Sequence, residues 1–359
     1  MKTLNPTALA EILDARTAED IAAQNIDGNA ILVIQGDKTL YRKFTGTAKD
    51  DSVFRLASMT KPVTAVAALI LIDRGLLTLD DLVADYLPGY ANMKLEGGIP
   101  SKTPLTVLHL LTHTSGIGSG KLCAPQAAAM TAEDNRTLAN AVEYYSHTEL
   151  DFEPFTRAFY SATAAFDVMA RIIELVSGKD YASFVREEIT APLGMLDTTF
   201  TPSDAQWARM ISMHGKKDEK SIVVTMPEGC VFGATPVTHP LAGAGLVSTP
   251  DDYAKFAMML KSRGGNILSE HAVELMAAQH VPEDVKPGGE SWGLGVRSIR
   301  GGGNLPAGSF GWSGAYGTHF WIDPENDIAA IYMKNSYFDG GSGARTAWQF
   351  ERDVMSALV

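Results

Sequence analysis

The chain has 359 residues, of which 45% are hydrophobic and 20% charged, and carries a net charge of -12. That length allows a large core and two lobes, while the acidic balance argues against nucleic acid or an anionic membrane as the main partner. Cys123 and Cys230 are the only cysteines and show neither a metal-ligand spacing nor a disulfide framework, so a reducing compartment is expected and no metal or other cofactor is implied.

The first twenty residues lack a continuous apolar stretch and an evident cleavage site, so a cytoplasmic protein without a secretory signal is expected. Residues 7–24 read as an amphipathic helix with Leu9, Ile12, Leu13 and Ile21 on one side. Residues 30–34 and 39–44 read as two strands of a hairpin about Gln35-Gly36-Asp37-Lys38. Phe54-Arg55-Leu56 then leads into the most telling stretch of the chain. Residues 65–72 are eight consecutive apolar residues, too few to cross a bilayer and apolar on every side, as in a helix buried in a large protein. Gly75 supplies its stop, and Pro62, tolerated only in a first turn, sets its start close to Ser58.

From residue 79 the chain breaks into short helical pieces at Pro88, Gly89, Gly97, Gly98 and Pro100. Helices are expected over 104–114, 131–147, 163–177 (with Gly178 as its cap) and 181–188. After residue 205 the texture turns to β, with strands expected at 222–225, 246–248, 292–299, 308–312, 319–322 and 328–334. Helices interrupt them at 250–260 and 269–279, and a last one spans 345–358. Strands at both ends around a helical middle imply a mixed α/β (α+β) fold. An antiparallel sheet would be assembled from the two termini and flanked by helices, with an all-helical lobe inserted. The expected division is residues 1–75 with 205–359 as the α/β part and 76–204 as the helical part, with the active site between them.

Ser58 and Lys61 share one face of the first turn of the buried helix, and Ser58 is the only serine with a lysine three residues on. The helix N-terminus and a neighbouring ammonium both favour an alkoxide, which is an activated nucleophile without a histidine. A cap followed by a solvated lysine is the plainer reading, but a solvated lysine is not expected at the edge of a core.

With this pair and this organisation, the chain resembles the serine β-lactamase and penicillin-binding superfamily, in particular the class C β-lactamase-like branch that includes family VIII carboxylesterases. The blocks carrying the resemblance include FRLASMTKPVTAVAALILIDRGLLTLDD, LTVLHLLTHTSGI, LDFEPFTRAFYSATAAFDVMARIIELVSG and FGWSGAYGTHFWIDP. The resemblance implies a β-lactamase/transpeptidase-like fold and a second motif at Tyr160-Ser161-Ala162, with Tyr160 as general base. A phenol flanked by the Lys61 ammonium would have its pKa pushed down. Tyr145-Ser146 has the same first letters but lies within a helical run, without the preceding Phe-Glu-Pro. Phe155 stands where the family usually has glycine.

The resemblance further implies a third motif at Trp312-Ser313-Gly314-Ala315, a strand edge bordering the substrate, with the Ala315 and Ser58 N–H groups expected as the oxyanion hole. Ala162 replaces the asparagine that contacts a lactam amide, and Trp312 replaces the cation that holds a lactam carboxylate. The chain therefore leans toward a serine hydrolase of small uncharged carboxylic esters, acting through a Ser58 acyl-enzyme. A β-lactamase, a D-Ala-D-Ala peptidase or D-aminopeptidase, an acyltransferase and a silent binding module are the alternatives. The expected partner is a small-molecule ester or β-lactam; oligomeric state is not legible.

Other features read as ordinary. His109 and His113 lie i, i+4 but lack the zinc-protease glutamate and a third ligand. Gly311-Trp312-Ser313-Gly314-Ala315 comes near a nucleophile elbow but has no following helix. Gly301-Gly302-Gly303 is a loop without a phosphate-binding lysine, and Asp251-Asp252 is a cap.

Overall fold

The computed structural model describes residues 1–218, 220–224, 239–336 and 344–359. Gly28–Gln35 is the strand on which the two termini meet. It forms a hairpin with Lys38–Gly46 on one side, and on the other it pairs antiparallel with Ile328–Met333, Ala30 opposite Met333 and Gln35 opposite Ile328. The sheet continues through His319–Asp323, Phe310–Ser313, Arg297–Ile299 and Glu290–Trp292, giving seven antiparallel strands. The expected sheet of N- and C-terminal segments is thus present.

Both faces of the inner sheet are covered, so Gly28–Gln35, Phe310–Ser313, His319–Asp323 and Ile328–Met333 are buried almost throughout, whereas the edge strand Lys38–Gly46 is largely exposed. Ile31, Val33, Trp321 and Tyr332 pack with Leu9 and Leu13 of the Pro6–Ala22 helix and with Phe350 and Val354 of the Arg345–Met355 helix. Ala30, Leu32, Phe320 and Ile331 face the opposite way, toward the Pro250–Lys261 helix and the Thr60–Asp73 helix. The latter is buried at every position from Thr60 to Leu71. It packs against the Ala164–Ser177, Tyr181–Val185 and Glu270–Ala277 helices. One apolar cluster runs from Leu32 in the sheet through Val66 to Val168 and Ile172 in the helical segment. Between residues 76 and 204 the described chain contributes no strand to the central sheet.

Several boundaries differ from expectation for identifiable reasons. The strand expected over 292–299 is two strands, because Gly295 turns with φ +65 and sits where an added Cβ would come within 2.8 Å of the Ala65 Cβ. The strand expected at 222–225 is Lys220–Val224, paired with Met213–Lys217 in a hairpin outside the central sheet. Thr225 and Cys230 lie outside the described residues. The helix expected over 131–147 begins only at Leu138, capped by Thr137, and a separate helix precedes it at Cys123–Ala129, where no residue is buried and no apolar period betrays it. The helix expected over 104–114 shortens to Val107–Leu111, where Thr106 and His109 form a capping box and His113 leaves helical space with φ +55. Among the described residues no helix is long and apolar enough to cross a membrane.

Because Leu69 is 0% exposed at the centre of the common cluster, Leu69→Ala is expected to lower unfolding free energy by about 2–5 kcal/mol. Urea or guanidinium titration checks this; a loss below about 1 kcal/mol would show that the helix is not the shared core.

Candidate active site

Ala57–Met59 form one 3-10 turn that runs directly into the Thr60–Asp73 helix. Ala57 holds φ +45, a left-handed conformation that a non-glycine residue adopts only at a cost of order 1 kcal/mol. Its methyl is buried against Met213 and Tyr316. The residues flanking Ser58 are pinned as well. The Leu56 N–H donates to the Leu246 carbonyl at 3.0 Å, Thr318 Oγ1 donates to the Leu56 carbonyl at 2.9 Å, and Thr60 Oγ1 accepts from the Leu246 N–H at 3.1 Å.

Lys61 is fully buried, and its Nζ donates to the carbonyls of Ala162 at 2.6 Å and Gly243 at 2.8 Å. With two directions committed, the third faces Ser58 Oγ at 3.3 Å. Burial pushes the amine down to about 7, with the charge of Asp167 partly offsetting it. A protonated Lys61 presents a proton to Ser58, and a neutral Lys61 presents a lone pair. Asp167, also buried, accepts the Ala242 N–H at 2.9 Å through Oδ1 and is itself pushed up to about 7 by burial. Thr64 Oγ1 donates to the Ala242 carbonyl at 2.6 Å. Residues 241–246 are thus strapped across the first turns of the buried helix.

Tyr160 reaches Ser58 from the helical segment through a short hydrogen bond between the two hydroxyls. Its ring centroid lies 4.7 Å from Lys61 Nζ. The phenol is not pushed down as expected. Burial drives it up to about 12, only partly offset by Ser58 and Trp312, because the Lys61 amine spends its contacts on Ser58, Ala162 and Gly243. At neutral pH Tyr160 is therefore a neutral phenol, with a proton to give toward Ser58.

The expected motif residues divide. Trp312 is 4% exposed and stands beside the site, its ring 6.1 Å from Tyr160 and stacked on His113 at 5.6 Å. Gly314 abuts the Ser58 turn: an added Cβ would meet the Leu56 carbonyl at 2.1 Å, so only glycine fits. Ala315 is exposed, and its N–H has no acceptor among the described residues. Ala162 contributes its carbonyl to Lys61. Ser313 departs from expectation, because neighbouring residues of a strand point to opposite faces and its hydroxyl bonds His319, away from Ser58. Tyr145 is buried in the helical core, apart from this cluster.

Gly243, Asp167 and Trp292 escaped the reading of the residues, whereas His113 packs and anchors a loop, as the reading of that residue expects. Gly243 and Asp167 carry no motif; a lone hint is the glycine alternation of Leu241-Ala242-Gly243-Ala244-Gly245. His113 is buried among Tyr160, Phe166, Trp292 and Trp312, and its Nδ1 accepts the Ser161 N–H at 3.2 Å. Burial and the Lys61 charge hold it well below the usual histidine range, so it is neutral. Trp292, 4.8 Å from His113, completes the wall. Phe155 takes φ +64, the conformation that glycine would adopt there, and packs its ring 5.6 Å from His109. His109 Nδ1 accepts the Thr106 N–H, so the two histidines hold separate backbone donors. Among the described residues no group of three or more His, Cys, Asp or Glu could hold a metal ion.

A model of the Beta-lactamase family matches residues 13–352, and the chain belongs to that family. It is a serine hydrolase of the β-lactamase fold. It is 27% identical over 383 aligned positions to esterase EstB of Burkholderia gladioli, covering 96% of this chain and 95% of that protein. It is 30% identical over 265 positions to the D-alanyl-D-alanine-carboxypeptidase/endopeptidase AmpH of Escherichia coli K12, covering 70% and 62%. Among solved structures, EstCE1, a hydrolase with promiscuous acyltransferase activity, superposes with a TM-score of 0.85 at 23% identity over 98% of this chain and 99% of that one. That likeness speaks for the fold.

An added Cβ at Gly243 would stand 2.8 Å from the Ala162 carbonyl and 3.2 Å from Lys61 Nζ. Gly243→Ala is therefore expected to displace the amine and lower ester kcat/KM by about 10-fold or more. Steady-state kinetics on the folded variant check it; wild-type activity would show that the strap does not place Lys61.

Proposed function

We propose that this chain hydrolyses small uncharged carboxylic esters through a Ser58 acyl-enzyme, in a site between the part formed by residues 1–75 with 205–359 and the helical part, 76–204. One observation carries the reading: Ser58 Oγ is held at once by the Tyr160 hydroxyl and by the buried amine of Lys61. Neutral Lys61 takes the Ser58 proton as Oγ bonds to the ester carbonyl carbon, and the oxyanion is received by the Ser58 and Ala315 N–H groups. The C–O bond to the alcohol then breaks, and the leaving oxygen takes a proton from Tyr160, which recovers one from the Lys61 ammonium beside its ring, so that both groups end neutral. Water repeats the sequence to release the acid.

Substrate class follows from the wall. Trp312 and neutral His113 stand stacked on one side of Tyr160 and carry no charge themselves, while Lys286 Nζ lies over the ring of their neighbour Trp292 at 5.4 Å. A lactam carboxylate placed against Trp312 would lose water without gaining a partner there. Lys334 is 1% exposed, its stem packed where a Gly317 Cβ would come within 2.3 Å, and Arg157 is exposed at the surface. The whole-length likeness to an esterase supports the same choice.

The deciding experiment compares p-nitrophenyl esters with nitrocefin and follows the adduct by intact mass. Ester turnover should exceed nitrocefin turnover, and Ser58→Ala should abolish both turnover and adduct while the protein stays folded, since the change deletes only a hydroxyl that caps no backbone N–H. A nitrocefin kcat/KM equal to that of the best ester would replace the ester reading with a lactamase; product ester formed with added alcohol would favour an acyltransferase.

The pH dependence separates the two bases. If neutral Lys61 accepts the proton, kcat/KM rises with pH through an apparent pKa near 7 and levels above it. A rise that continues toward 12 would give the role to Tyr160 instead. Lys61→Met should remove the limb and cost at least about 10² in kcat/KM.

A further inference from the structure

Behind the strand that carries Trp312 lies a second run of hydrogen-bonded side chains. Ser313 Oγ is 2.7 Å from His319 Nδ1, and His319 Nε2 is 3.1 Å from Glu351 Oε1. Arg297 donates to the same Glu351 oxygen and, through NH1, to Glu290 at 2.9 Å. Ser313, His319, Glu351 and Arg297 are all 5% exposed or less. Protonation can be assigned. Burial would raise the Glu351 carboxyl, but His319 and Arg297 outweigh it and hold the group down to about 2. A carboxylate only accepts, so His319 Nε2 carries the proton, Nδ1 is the acceptor, and the Ser313 hydroxyl donates.

The order serine, histidine, glutamate is that of a hydrolytic triad, yet the surroundings are not. Ser313 points to the sheet face covered by the Arg345–Met355 helix, with the His319 ring 6.5 Å from Phe350. A cavity of about 350 Å³ reaches Glu351, Arg297 and Trp348, but neither Ser313 nor His319 lines it. No ester can approach the hydroxyl by that route.

The position in the sheet is what matters. Ser313 and His319 are directly opposite in register, the last rung before the strands part into the turn that holds Ala315. Beyond that rung, Gly314 N–H donates to the Thr318 carbonyl at 2.7 Å, and Thr318 Oγ1 holds the Leu56 carbonyl two residues before Ser58. The turn is thus clamped from the near side by Leu56 and from the far side by the Ser313 chain. We infer that Ser313, His319 and Glu351 are positioning residues that tie the Ala315 turn to the C-terminal helix and hold its N–H in place for the oxyanion. The inference rests on the acyl-enzyme reading above. Oxyanion donors tolerate displacements of only about 0.5 Å, so a slack rung is felt in the chemical step rather than in substrate binding.

The test uses Ser313→Ala, Ser313→Thr and Glu351→Gln beside the wild type and Ser58→Ala. Ser313→Ala should lower ester kcat by about 10-fold or more, leave KM within about twofold, and weaken a boronic acid transition-state analogue by the same factor as kcat. Ser313→Thr keeps the hydroxyl and should recover kcat and boronate affinity to within about threefold. Glu351→Gln should move both quantities in the direction of Ser313→Ala. Unchanged kcat and boronate affinity in Ser313→Ala, with only a lower Tm, would overturn the inference, as would a threonine variant as slow as alanine. Fluorophosphonate labelling of Ser313 in Ser58→Ala protein would instead make it a nucleophile. Should the wild type cleave no ester at all, the ester reading fails on its own, and the boronate affinities of wild type and Ser313→Ala still decide this inference.

Discussion

A lysine amine sealed from water beside a serine is the constraint on which the rest of the site depends. Removing an ammonium from water costs several kcal/mol unless its donors are met. Here two carbonyls meet it, those of Ala162 and Gly243, more than 80 residues apart in the chain. That requirement explains features that otherwise look unrelated. Residue 243 can carry no side chain, because a Cβ would press on the Ala162 carbonyl and on Nζ. Asp167 and Thr64 exist to grip Ala242, the residue beside it. Gly295 lets a sheet turn press against the Lys61 carbonyl, where an added Cβ would come within 2.9 Å.

The same burial sets the division of labour between the two groups touching Ser58. Loss of water destabilises whichever form is charged, so it moves a lysine down and a tyrosine up. Lys61 is drawn toward neutrality near physiological pH and Tyr160 away from its phenolate. A single environment therefore makes one neighbour the better acceptor and the other the better donor. The hydroxyl between them has a proton path in each direction.

Legibility in the sequence followed the range of the interactions. The Ser58 helix was readable because its period, proline and glycine are local, and the sheet because apolar strands at both termini have no other way to be buried. Tyr160 and Trp312-Gly314-Ala315 were reached only through resemblance to a family, since nothing within a few residues of them announces a site. Gly243 and Asp167 were not reached, because their roles consist of contacts across 75 to 182 positions. Proximity to a cation suggested a lowered phenol, whereas the direction of Nζ and the depth of burial decide the sign. Ser313 was misplaced for a similar reason: a motif written as consecutive letters hides that alternate strand residues face opposite ways.

Backbone strain marks the site as well. Ala57 and His113 hold positive φ without being glycine, the first next to Ser58 and the second against Tyr160, while Phe155 does so against His109. Each conformation costs of order 1–3 kcal/mol and persists only where the surroundings over-determine it. Ala57 turns the chain so that Ser58 emerges beside Tyr160, and packing of its methyl on Met213 and Tyr316 holds it there. His113 pays for its conformation by capping the Ser161 N–H and by filling the space between Tyr160 and two tryptophans. A charged imidazole in that place would face the Lys61 ammonium across a dry aromatic wall, so the histidine stays neutral and the wall stays apolar. The uncharged side of the site and the depressed amine are therefore two results of one arrangement. Any substrate group that brought its own charge to that wall would have to undo it.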